Sequence, residues 1–551
     1  MSALIEKIRG SVIGANQLIA TPFGEKPLVY ADYTASGRAL TFIEDYIRHQ
    51  VLPYYANTHT ETSFTGAQTT ALREQARRQI RAAVNATPED QVIFCGPGAT
   101  AAINKLIDIL GLRLPHDLSR RYQLQEHMPP DERPVVFIGP YEHHSNELPW
   151  RESIADLVVI PLTPQGNICL QTLQKKLEVF EDRPLKIGSF SAASNVTGVK
   201  SNVPDVTAML RRHGALSFWD YAAAAPYVGI DMNGNDPLDA VFISPHKFVG
   251  GPGTPGLLVV KKAILNNTVP AMVGGGTVVY VTPEGHRFID DHERREEGGT
   301  PAIVESIRAG LVFKLQQEVG IDDIERREAD FVTRAINQFA QSDNLEVLGG
   351  VEADRLSIVS LRFKHQDKDL HYGFVVSLLN DLFGLQVRGG CSCAGPYGHA
   401  LLGMDMHYSR AIEAAISDGA MVLRPGWVRL NFNYFISEAE FDYLVQAIML
   451  VAEHGWRLLP YYHFDATAGV WRFLDKALPL VSSLDAFSFA HGAPQAQVRA
   501  IPDAMLNDYL EQARHELLRD DREQGKSHLV LPPDAESLRW FVRPQDVTDA
   551  A

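Results

Sequence analysis

The most informative stretch of this chain is Val241-Phe242-Ile243-Ser244-Pro245-His246-Lys247-Phe248-Val249-Gly250-Gly251-Pro252-Gly253. Its apolar beginning predicts a buried strand, which is followed by a hydroxyl, an imidazole, an amine and a glycine-rich turn. An amine that is partly desolvated at a strand end can lose its charge and attack a carbonyl to form a Schiff base. The alternative interpretation of Lys247 is a surface lysine that enters a loop.

A second predicted strand ends in an acid. Ser217-Phe218-Trp219-Asp220 has an apolar centre, ends in an acid and lies upstream of Lys247. A pyridoxal phosphate (PLP) site needs an acid against the pyridine nitrogen, because the protonated ring is the electron sink that stabilises a carbanion. The alternative interpretation of Asp220 is a helix cap before the alanines that follow it.

A possible phosphate-binding turn lies further upstream. Residues 91–95 predict a strand, and Gly96-Pro97-Gly98-Ala99-Thr100 leads from it into a helical stretch over residues 101–110. The free N–H groups and the dipole at a helix N-terminus favour a bound phosphate. Taken alone the pattern is weak, because Gly98 and Thr100 are also typical of an ordinary turn and a cap.

Several further motifs accompany these three segments in a fixed order along residues 25–455. They are Tyr30-Ala31-Asp32-Tyr33-Thr34-Ala35-Ser36, Glu142-His143-His144-Ser145-Asn146-Glu147-Leu148-Pro149-Trp150, Ser194-Asn195-Val196-Thr197-Gly198, Gly298-Gly299-Thr300-Pro301, Arg388-Gly389-Gly390-Cys391-Ser392-Cys393-Ala394 and Gly426-Trp427-Val428-Arg429-Leu430. The phosphate-binding turn itself continues as Gly98-Ala99-Thr100-Ala101-Ala102-Ile103-Asn104. With them the chain resembles a fold-type I, class V aminotransferase-like PLP enzyme of the cysteine desulfurase and selenocysteine lyase branch.

The resemblance implies an α/β fold: a large domain around a mainly parallel sheet of the seven-stranded type, a smaller α+β domain, and a C-terminal extension. We expect an N-terminal segment over residues 1–30, the large PLP-binding domain over 31–310, the small domain over 311–455 and the extension over 456–551. The alternation of predicted strands and helices favours the same parallel sheet. The extension carries no catalytic motif that we recognise, so an added interface or packing segment is its simplest interpretation.

The resemblance also implies a set of residues that bind the cofactor. His143 would stack on the pyridine ring and move protons, Lys247 would hold PLP and act as base at Cα, and Thr300 would reach the phosphate of a neighbouring subunit. The full predicted set is Ala99, Thr100, His143, Asn195, Asp220, Ser244, His246, Lys247 and Thr300. A satisfied core histidine is the alternative for His143.

The substrate-binding residues implied by the resemblance are Ala35, Asn195, Arg388 and Arg429. Arg429 would hold the substrate carboxylate with two hydrogen bonds, unless it is a surface arginine at a strand end. Cys393 would be the nucleophile that takes sulfur from L-cysteine as a persulfide and leaves L-alanine. That step needs a thiolate, and the preceding arginine and glycines suit an exposed, electropositive loop.

Alternatives to desulfuration remain open on the sequence. Both cysteines of the loop can simply pack, and Cys391 can resolve a persulfide, relay sulfur or have no role. An aminotransferase or a β-lyase acting on a cysteine derivative has the same fold, and a non-catalytic scaffold is the alternative from a different class. Three departures from the family pattern are Ala223 where a Gln is common, an insertion at about residues 397–424, and the long extension.

The amino-acid composition indicates which classes of binding partner and which compartment to expect. The 551 residues are 45% hydrophobic and 21% charged, with a net charge of −16 that argues against non-specific nucleic-acid binding. Four cysteines indicate a reducing compartment, and the absence of a long apolar run predicts a cytoplasmic protein with no membrane association. Cys391-Ser392-Cys393 is too tight for a zinc site, so we expect no metal. The expected partners are an amino-acid substrate, a second copy in a homodimer and a possible sulfur-acceptor protein.

Overall fold

The computed structural model describes residues 3–58, 60–474, 482–490, 499–522 and 525–548, and the chain divides into two compact units. The first unit comprises Met1–Ile13, Tyr33–Ala329 and Glu352–Leu356. The second comprises Gly14–Asp32, Asp330–Val351 and Ser357–Ala551. The four domain limits expected from the sequence stay predictions.

A mixed sheet of seven strands forms the centre of the first unit. Its strands are β1 (Asp90–Phe94), β2 (Val135–Ile138), β3 (Asp156–Val159), β4 (Lys186–Ser191), β5 (Leu216–Asp220), β6 (Ala240–Ile243) and β7 (Leu257–Lys261). They lie side by side in the order β1-β7-β6-β5-β4-β2-β3. Only β7 runs antiparallel to its neighbours. The predicted α/β class with a mainly parallel, seven-stranded sheet is confirmed.

The parallel strands direct the polar loops to one edge of this sheet. Every residue of β2 and β6 is buried, which is typical of parallel strands that are covered on both faces. The carboxyl ends of parallel strands meet at the same edge, where the loops of such folds bind ligands. His143, Asn195 and Lys247 follow β2, β4 and β6, and Asp220 is the last residue of β5.

Helices pack against the sheet through apolar faces. In helix Gly98–Ile109, Ala102, Ile103 and Leu106 are fully buried in a cluster with β-strand side chains. Gly98 opens this helix, three residues earlier than the sequence pattern suggested. The other helices with residues in the first unit are Ala3–Ser11, Thr41–Tyr46, Phe64–Ala83, His116–Tyr122, Leu148–Arg151, Leu170–Val179, Val203–Arg212, His292–Arg295, Ile303–Val319 and Ile321–Phe339.

Side chains complete the hydrogen bonding of the edge strand β1. The carboxylates of Glu293 and Glu297 accept hydrogen bonds from the backbone N–H groups of Val92 and Phe94, each at 2.7 Å. Arg77 is buried, donates to the carbonyl of Val92, and pairs with Glu297 at 3.0 Å. These bonds protect an edge that would otherwise invite pairing with another strand. They also hold in place the chain that leads directly into Gly298-Gly299-Thr300-Pro301.

The second unit contains an antiparallel sheet that carries the cysteine motif. Its strands β8 (Leu345–Val347), β9 (Ile358–His365), β10 (Arg388–Gly390) and β11 (Trp427–Asn431) lie in the order β8-β9-β11-β10, and Lys368–Asp369 pairs with β9. Its helices are Tyr372–Phe383, Gly395–Leu401, Met406–Ser417, Glu438–His454, Leu506–Leu518, Pro533–Glu536 and Pro544–Thr548. Across the described ranges, every helix falls short of the length or apolar character that a membrane crossing needs.

Several of the described residues beyond 455 belong to the hydrophobic core of this unit. Helix Leu506–Leu518 buries Leu506, Leu510, Ala513 and Leu517, which recur at the three- and four-residue spacing of one helix face. Tyr462 is fully buried and donates its hydroxyl to Asp381 at 2.9 Å. The extension therefore supplies part of the core, rather than lying on its surface.

This packing makes Leu517→Ala a test of the core. Leu517 is 1% exposed, so its truncation leaves a cavity, and we expect the free energy of unfolding to fall by about 2–4 kcal/mol. The measurement is chemical denaturation of the full chain. Gln512→Ala on the exposed face of the same helix is the matched control, and equal stability of the two variants would contradict this account.

Candidate active site

Lys247 lies in a short turn that follows β6. Pro245–Lys247 forms one turn of 3₁₀-helix, and Lys247 is half-buried. Its charge stabilises the ionised carboxyl of Asp220, which is 4% exposed at the end of β5. The structure thus brings the predicted lysine and the predicted acid, which are separated in sequence, into electrostatic contact.

Asp220 is a carboxylate that benefits from a nearby cation. Burial raises its pKa, while the N–H of Ala222, which donates to Oδ1 at 2.8 Å, and the charge of Lys247 act against that shift. The bond from Ala222 closes a local Asx turn, and turns rather than a helix follow at residues 222–227, so Asp220 is not the helix cap of the alternative interpretation. A protonated pyridine nitrogen would add the positive charge that a buried carboxylate requires, so Asp220 fits the predicted cofactor.

The predicted phosphate turn packs directly on the lysine segment. The N–H of Ala99 donates to Ser244 Oγ at 2.9 Å. Gly98 has φ +57°, and a Cβ at this position would lie 2.9 Å from both Ser244 Oγ and His246 Cε1. A Cβ on Gly256 would lie 1.9 Å from the oxygen of Gly98. Two glycines are therefore needed to bring the helix N-terminus and Ser244 together, as the predicted phosphate site requires.

His246 is held neutral in this arrangement. Burial, together with the charge of Lys247, lowers its pKa to about 4. A neutral imidazole at neutral pH can donate one hydrogen bond and accept another. This suits a contact with a phosphate oxygen, which is the role that the family resemblance implies for His246.

His143 is linked to the phosphate turn by two hydroxyls. Its Nδ1 accepts the N–H of Ser145 at 3.1 Å and lies 3.0 Å from Ser145 Oγ. That hydroxyl is 2.6 Å from Thr100 Oγ1. Because Nδ1 accepts an N–H, the neutral ring carries its proton on Nε2. Ser145 was not among the predicted site residues, although it stands in the motif that contains His143.

Glu142 anchors the segment that carries His143. It is 1% exposed and accepts hydrogen bonds from Ser191 Oγ at 2.6 Å, Asn146 Nδ2 at 2.8 Å and the N–H of Ser191 at 3.1 Å. Burial raises the pKa of Glu142 to about 7 in spite of these donors. The sequence quoted this residue as part of a motif but gave no sign that it joins the end of β2 to β4.

The N-terminal loop that contains Ala35 is bonded to the lysine segment. The N–H of Gly37 donates to the carbonyl of His246 at 2.8 Å, and the N–H of Gly250 donates to the carbonyl of Arg38 at 2.7 Å. A Cβ on Gly37 would lie 1.8 Å from the oxygen of Phe248. The structure therefore places half-buried Ala35 in a loop that runs along the two ends of the Lys247 turn.

Asn195 and Thr300 lie in two other loops of the first unit. Asn195 is 8% exposed in a tight turn, where Ser194 Oγ accepts the N–H groups of Val196 and Thr197 at 3.1 and 3.2 Å. Thr300 is exposed and accepts a hydrogen bond from Asn57 Nδ2 at 3.3 Å. An exposed hydroxyl is compatible with the predicted contact to another subunit.

The second unit groups the two predicted arginines around a residue that the sequence had not assigned. Asp32 Oδ2 pairs with Arg388 Nε at 2.9 Å, and Asp32 Oδ1 pairs with Arg429 at 3.1 Å. Arg388 and Arg429 are also directly opposite each other in the β10–β11 ladder. Burial lowers the pKa of Arg429, which is 4% exposed, and Asp32 offsets this shift. Asp32 thus stabilises a buried cation and orients it.

The cysteine loop, residues 391–394, joins β10 to helix Gly395–Leu401. Ser392 and Cys393 have φ of +53° and +57°, a left-handed conformation that non-glycine residues rarely adopt and that costs free energy. Cys393 is exposed and lies within electrostatic range of Arg429, whereas Cys391 is half-buried with its thiol pKa raised by burial. Of the two thiols, Cys393 is accessible and Cys391 is disfavoured as a thiolate.

Comparison with known proteins identifies the family. The aminotransferase class-V family matches residues 29–444, so the chain belongs to that family. A probable cysteine desulfurase of Halalkalibacterium halodurans is 30% identical over 378 residues, which are 67% of this chain and 85% of that protein. A cysteine desulfurase of Salmonella agona is 28% identical over 404 residues, 72% of this chain and 90% of that protein.

Solved structures show the same fold. A cysteine desulfurase of Thermococcus onnurineus superposes with a TM-score of 0.63 at 22% identity, over 77% of this chain and 95% of that chain. A cysteine desulfurase of Escherichia coli superposes with a TM-score of 0.59 at 21% identity, over 77% and 94% of the two chains. The resemblance found in the motifs is confirmed, and enzymes of this family depend on PLP in general.

The buried carboxyl of Glu142 predicts a pH-dependent stability. The pKa of Glu142 is raised from 4.5 to about 7 in the folded protein, so the unfolded chain loses this proton at a lower pH. The stability that the protonated carboxyl contributes is therefore fully present below pH 4.5 and is lost as pH rises through 7. The Glu142→Gln variant has no such carboxyl and should not show this loss. Between pH 5 and 8 we therefore expect the free energy of unfolding of the wild type to fall by about 2 kcal/mol relative to that of the variant. Chemical unfolding at each pH measures the difference.

The exposed Glu152 provides the matched control for this measurement. Glu152→Gln should follow the wild type at every pH. Wild-type and Glu142→Gln stability curves that stay parallel from pH 5 to 8 would contradict a raised pKa at Glu142.

Proposed function

We propose that the chain is a PLP-dependent cysteine desulfurase that converts L-cysteine to L-alanine and carries the sulfur as a persulfide on Cys393. The observation that carries this proposal is that Cys393 is exposed in a left-handed loop and lies within electrostatic range of Arg429, whereas Cys391 is half-buried. A loop cysteine that only packs would be buried, whereas a nucleophilic thiol needs access and a nearby positive charge.

The residues grouped in the first unit fit PLP. Bound PLP supplies an electron sink that eases removal of the proton at Cα. The N–H groups at the start of helix Gly98–Ile109, with Ser244 and His246, suit its phosphate, and Asp220 suits its pyridine nitrogen. The remaining predicted contacts, from Ala99, Thr100, Asn195 and Thr300, belong to this proposal.

Lys247 and His143 would move the protons. Lys247 would hold the cofactor and then, as a neutral amine, take the proton from Cα. His143 would donate or accept a proton at Nε2, because Nδ1 is occupied by the N–H of Ser145. The hydrogen bond from Ser145 fixes the ring in the orientation that this exchange needs.

The arginines would bind the substrate carboxylate. Arg429 and Arg388 carry two positive charges, and Asp32 balances one of them. The remaining net charge matches an amino acid with a single carboxylate. Ala35 and Asn195 would complete the substrate contacts.

The sulfur step would take place on Cys393. Its thiolate would attack the substrate sulfur, the bond between that sulfur and Cβ would break, and the electron pair and one proton would remain with the product as L-alanine. The enzyme would hold Cys393–S–SH, which balances L-cysteine and one thiol against L-alanine and one persulfide. An exposed persulfide is open to an acceptor protein or a small thiol.

The assembly in this proposal is a cytoplasmic homodimer. Six large apolar side chains are exposed within a short stretch next to the Thr300 loop, whose Gly299 N–H bonds to the carbonyl of Gly275 at 2.8 Å. An apolar patch of this kind is typical of a protein interface. Its residues are Val269, Met272, Val273, Val279, Tyr280 and Val281.

Attachment of the cofactor is tested by Lys247→Ala. Borohydride reduction of the wild type should fix PLP to Lys247, because reduction makes a lysine–PLP linkage permanent, and peptide mass spectrometry should locate it there. We expect no labelled peptide from Lys247→Ala and unchanged labelling in Lys262→Ala, an exposed lysine outside the site. Labelling at another lysine would refute the role assigned to Lys247. A protein that takes up no PLP would refute it as well and would favour a non-catalytic scaffold.

The reaction is tested by incubating the PLP-loaded protein with L-cysteine and a reductant. We expect equal amounts of alanine and sulfide, a loss of more than about hundredfold in Cys393→Ala, and most of the activity retained in Cys391→Ala, whose thiol is a poor thiolate. Pyruvate and ammonia that persist in Cys393→Ala would establish a β-lyase. Amino transfer to a keto acid, without sulfide, would establish an aminotransferase.

A further inference from the structure

We propose that the C-terminal extension acts as a clamp on the cysteine loop, and that Trp540 is a positioning residue for Cys393. This inference rests on the proposed function in so far as Cys393 is taken to be the sulfur carrier. The family match ends at residue 444, so the extension lies outside the matched segment. The extension acts together with the insertion at residues 397–424, and we call the two segments the clamp.

Direct hydrogen bonds join the extension to the insertion. Trp540 Nε1 donates to the carbonyl of Leu423 at 2.9 Å, and the hydroxyl of Tyr408 donates to the carbonyl of Leu538 at 2.8 Å. The side chain of Leu423 is fully buried. The two bonds run in opposite directions between the same two segments, so each segment restrains the other.

A buried histidine secures the same contact. His371 is 3% exposed, its Nε2 lies 3.0 Å from the carbonyl of Val422, and its Nδ1 accepts from Gly373 N at 2.9 Å and Trp471 Nε1 at 3.1 Å. Burial lowers its pKa to about 3, so the ring stays neutral with its proton on Nε2. One imidazole thus bonds the insertion, the helix Tyr372–Phe383 and the extension at once.

Stacked rings carry this contact to the strand before the cysteine loop. The rings of Trp540 and Tyr372 are 6.2 Å apart and inclined by only 5°. Two glycines pack against the ring of Tyr372. A Cβ on Gly389 would lie 2.7 Å from Tyr372 Cδ2, and a Cβ on Gly426 would lie 2.8 Å from Tyr372 Cε1. Gly389 belongs to β10, which ends immediately before Cys391.

The other end of the loop is restrained as well. Ala394 is fully buried, and a Cβ on Gly398 would lie 3.2 Å from Trp427 Cη2 and 3.9 Å from the Cβ of Cys391. The strained residues Ser392 and Cys393 therefore stand between two restrained ends. Strained backbone persists only where the surroundings over-determine it, so a weaker clamp should let Cys393 relax out of its left-handed conformation.

Trp540→Phe tests the clamp in the full-length, PLP-loaded protein. The variant keeps an aromatic ring and removes the N–H that bonds to Leu423. We expect single-turnover formation of alanine from L-cysteine to slow by about tenfold, with KM unchanged within about twofold, since misplacing a reacting group lowers the rate rather than ground-state binding. Backbone hydrogen exchange over residues 388–401 should accelerate in the same variant.

Trp456→Phe is the matched control. It also removes an indole N–H, here one that donates to the carbonyl of Glu453 at 3.0 Å, away from the insertion. We expect wild-type turnover and wild-type exchange over residues 388–401. Should Trp540→Phe not fold, Tyr408→Phe, which removes only the bond to Leu538, is expected to produce the same two effects in smaller measure.

The two readouts separate this proposal from the proposed function. Hydrogen exchange needs no catalysis, so faster exchange in a protein without desulfurase activity would support the clamp and refute the desulfurase assignment. An active desulfurase whose Trp540→Phe variant matches the wild type in turnover and exchange would overturn the clamp. A rise in KM with unchanged turnover would also overturn it, because a positioning effect on Cys393 acts on the rate.

Discussion

The contact between the backbone of Gly98 and Gly256 is the constraint on which the candidate cofactor site depends. A side chain on Gly256 would occupy the space of the Gly98 oxygen, so the helix N-terminus reaches Ser244 only because both residues are glycines. On the other side of the lysine segment, Gly37 approaches Phe248 equally closely. The segment that carries Lys247 is thus approached closely by the backbone of two other segments, at Gly98 and at Gly37.

The polar groups around this turn are preorganised rather than adaptable. Buried carboxyls such as Asp220 and Glu142 have raised pKa values because burial penalises their charge, and each receives hydrogen bonds from fixed backbone or side-chain donors. Ser145 fixes the ring of His143 in the same way. Groups that are already oriented need little reorganisation when charge moves during a reaction, which is how such sites lower barriers.

The second unit follows a different principle, in which ionic pairing and ring stacking restrain a strained loop. Asp32 pairs with two arginines in β10 and β11, and the ring of Tyr372 packs against Gly389 of β10 and Gly426, which immediately precedes β11. Beyond the family match, helix Leu506–Leu518 and Tyr462 contribute to the hydrophobic core, while Trp540 bonds the insertion. The core of this unit is therefore built partly from chain that the matched family segment does not include.

The sheet class and the family could be predicted from the sequence alone, because apolar runs are typical of parallel strands and the family motifs are short and local. The residue types of the site were predicted from the same motifs. Asp220 and Lys247 stand out in this way. The contacts of Glu142, Ser145, Asp32 and Trp540 follow only from the tertiary structure. Each acts through a partner far away in the chain, and a hydrogen bond of about 3 Å between distant residues leaves no periodic or compositional signal in one sequence.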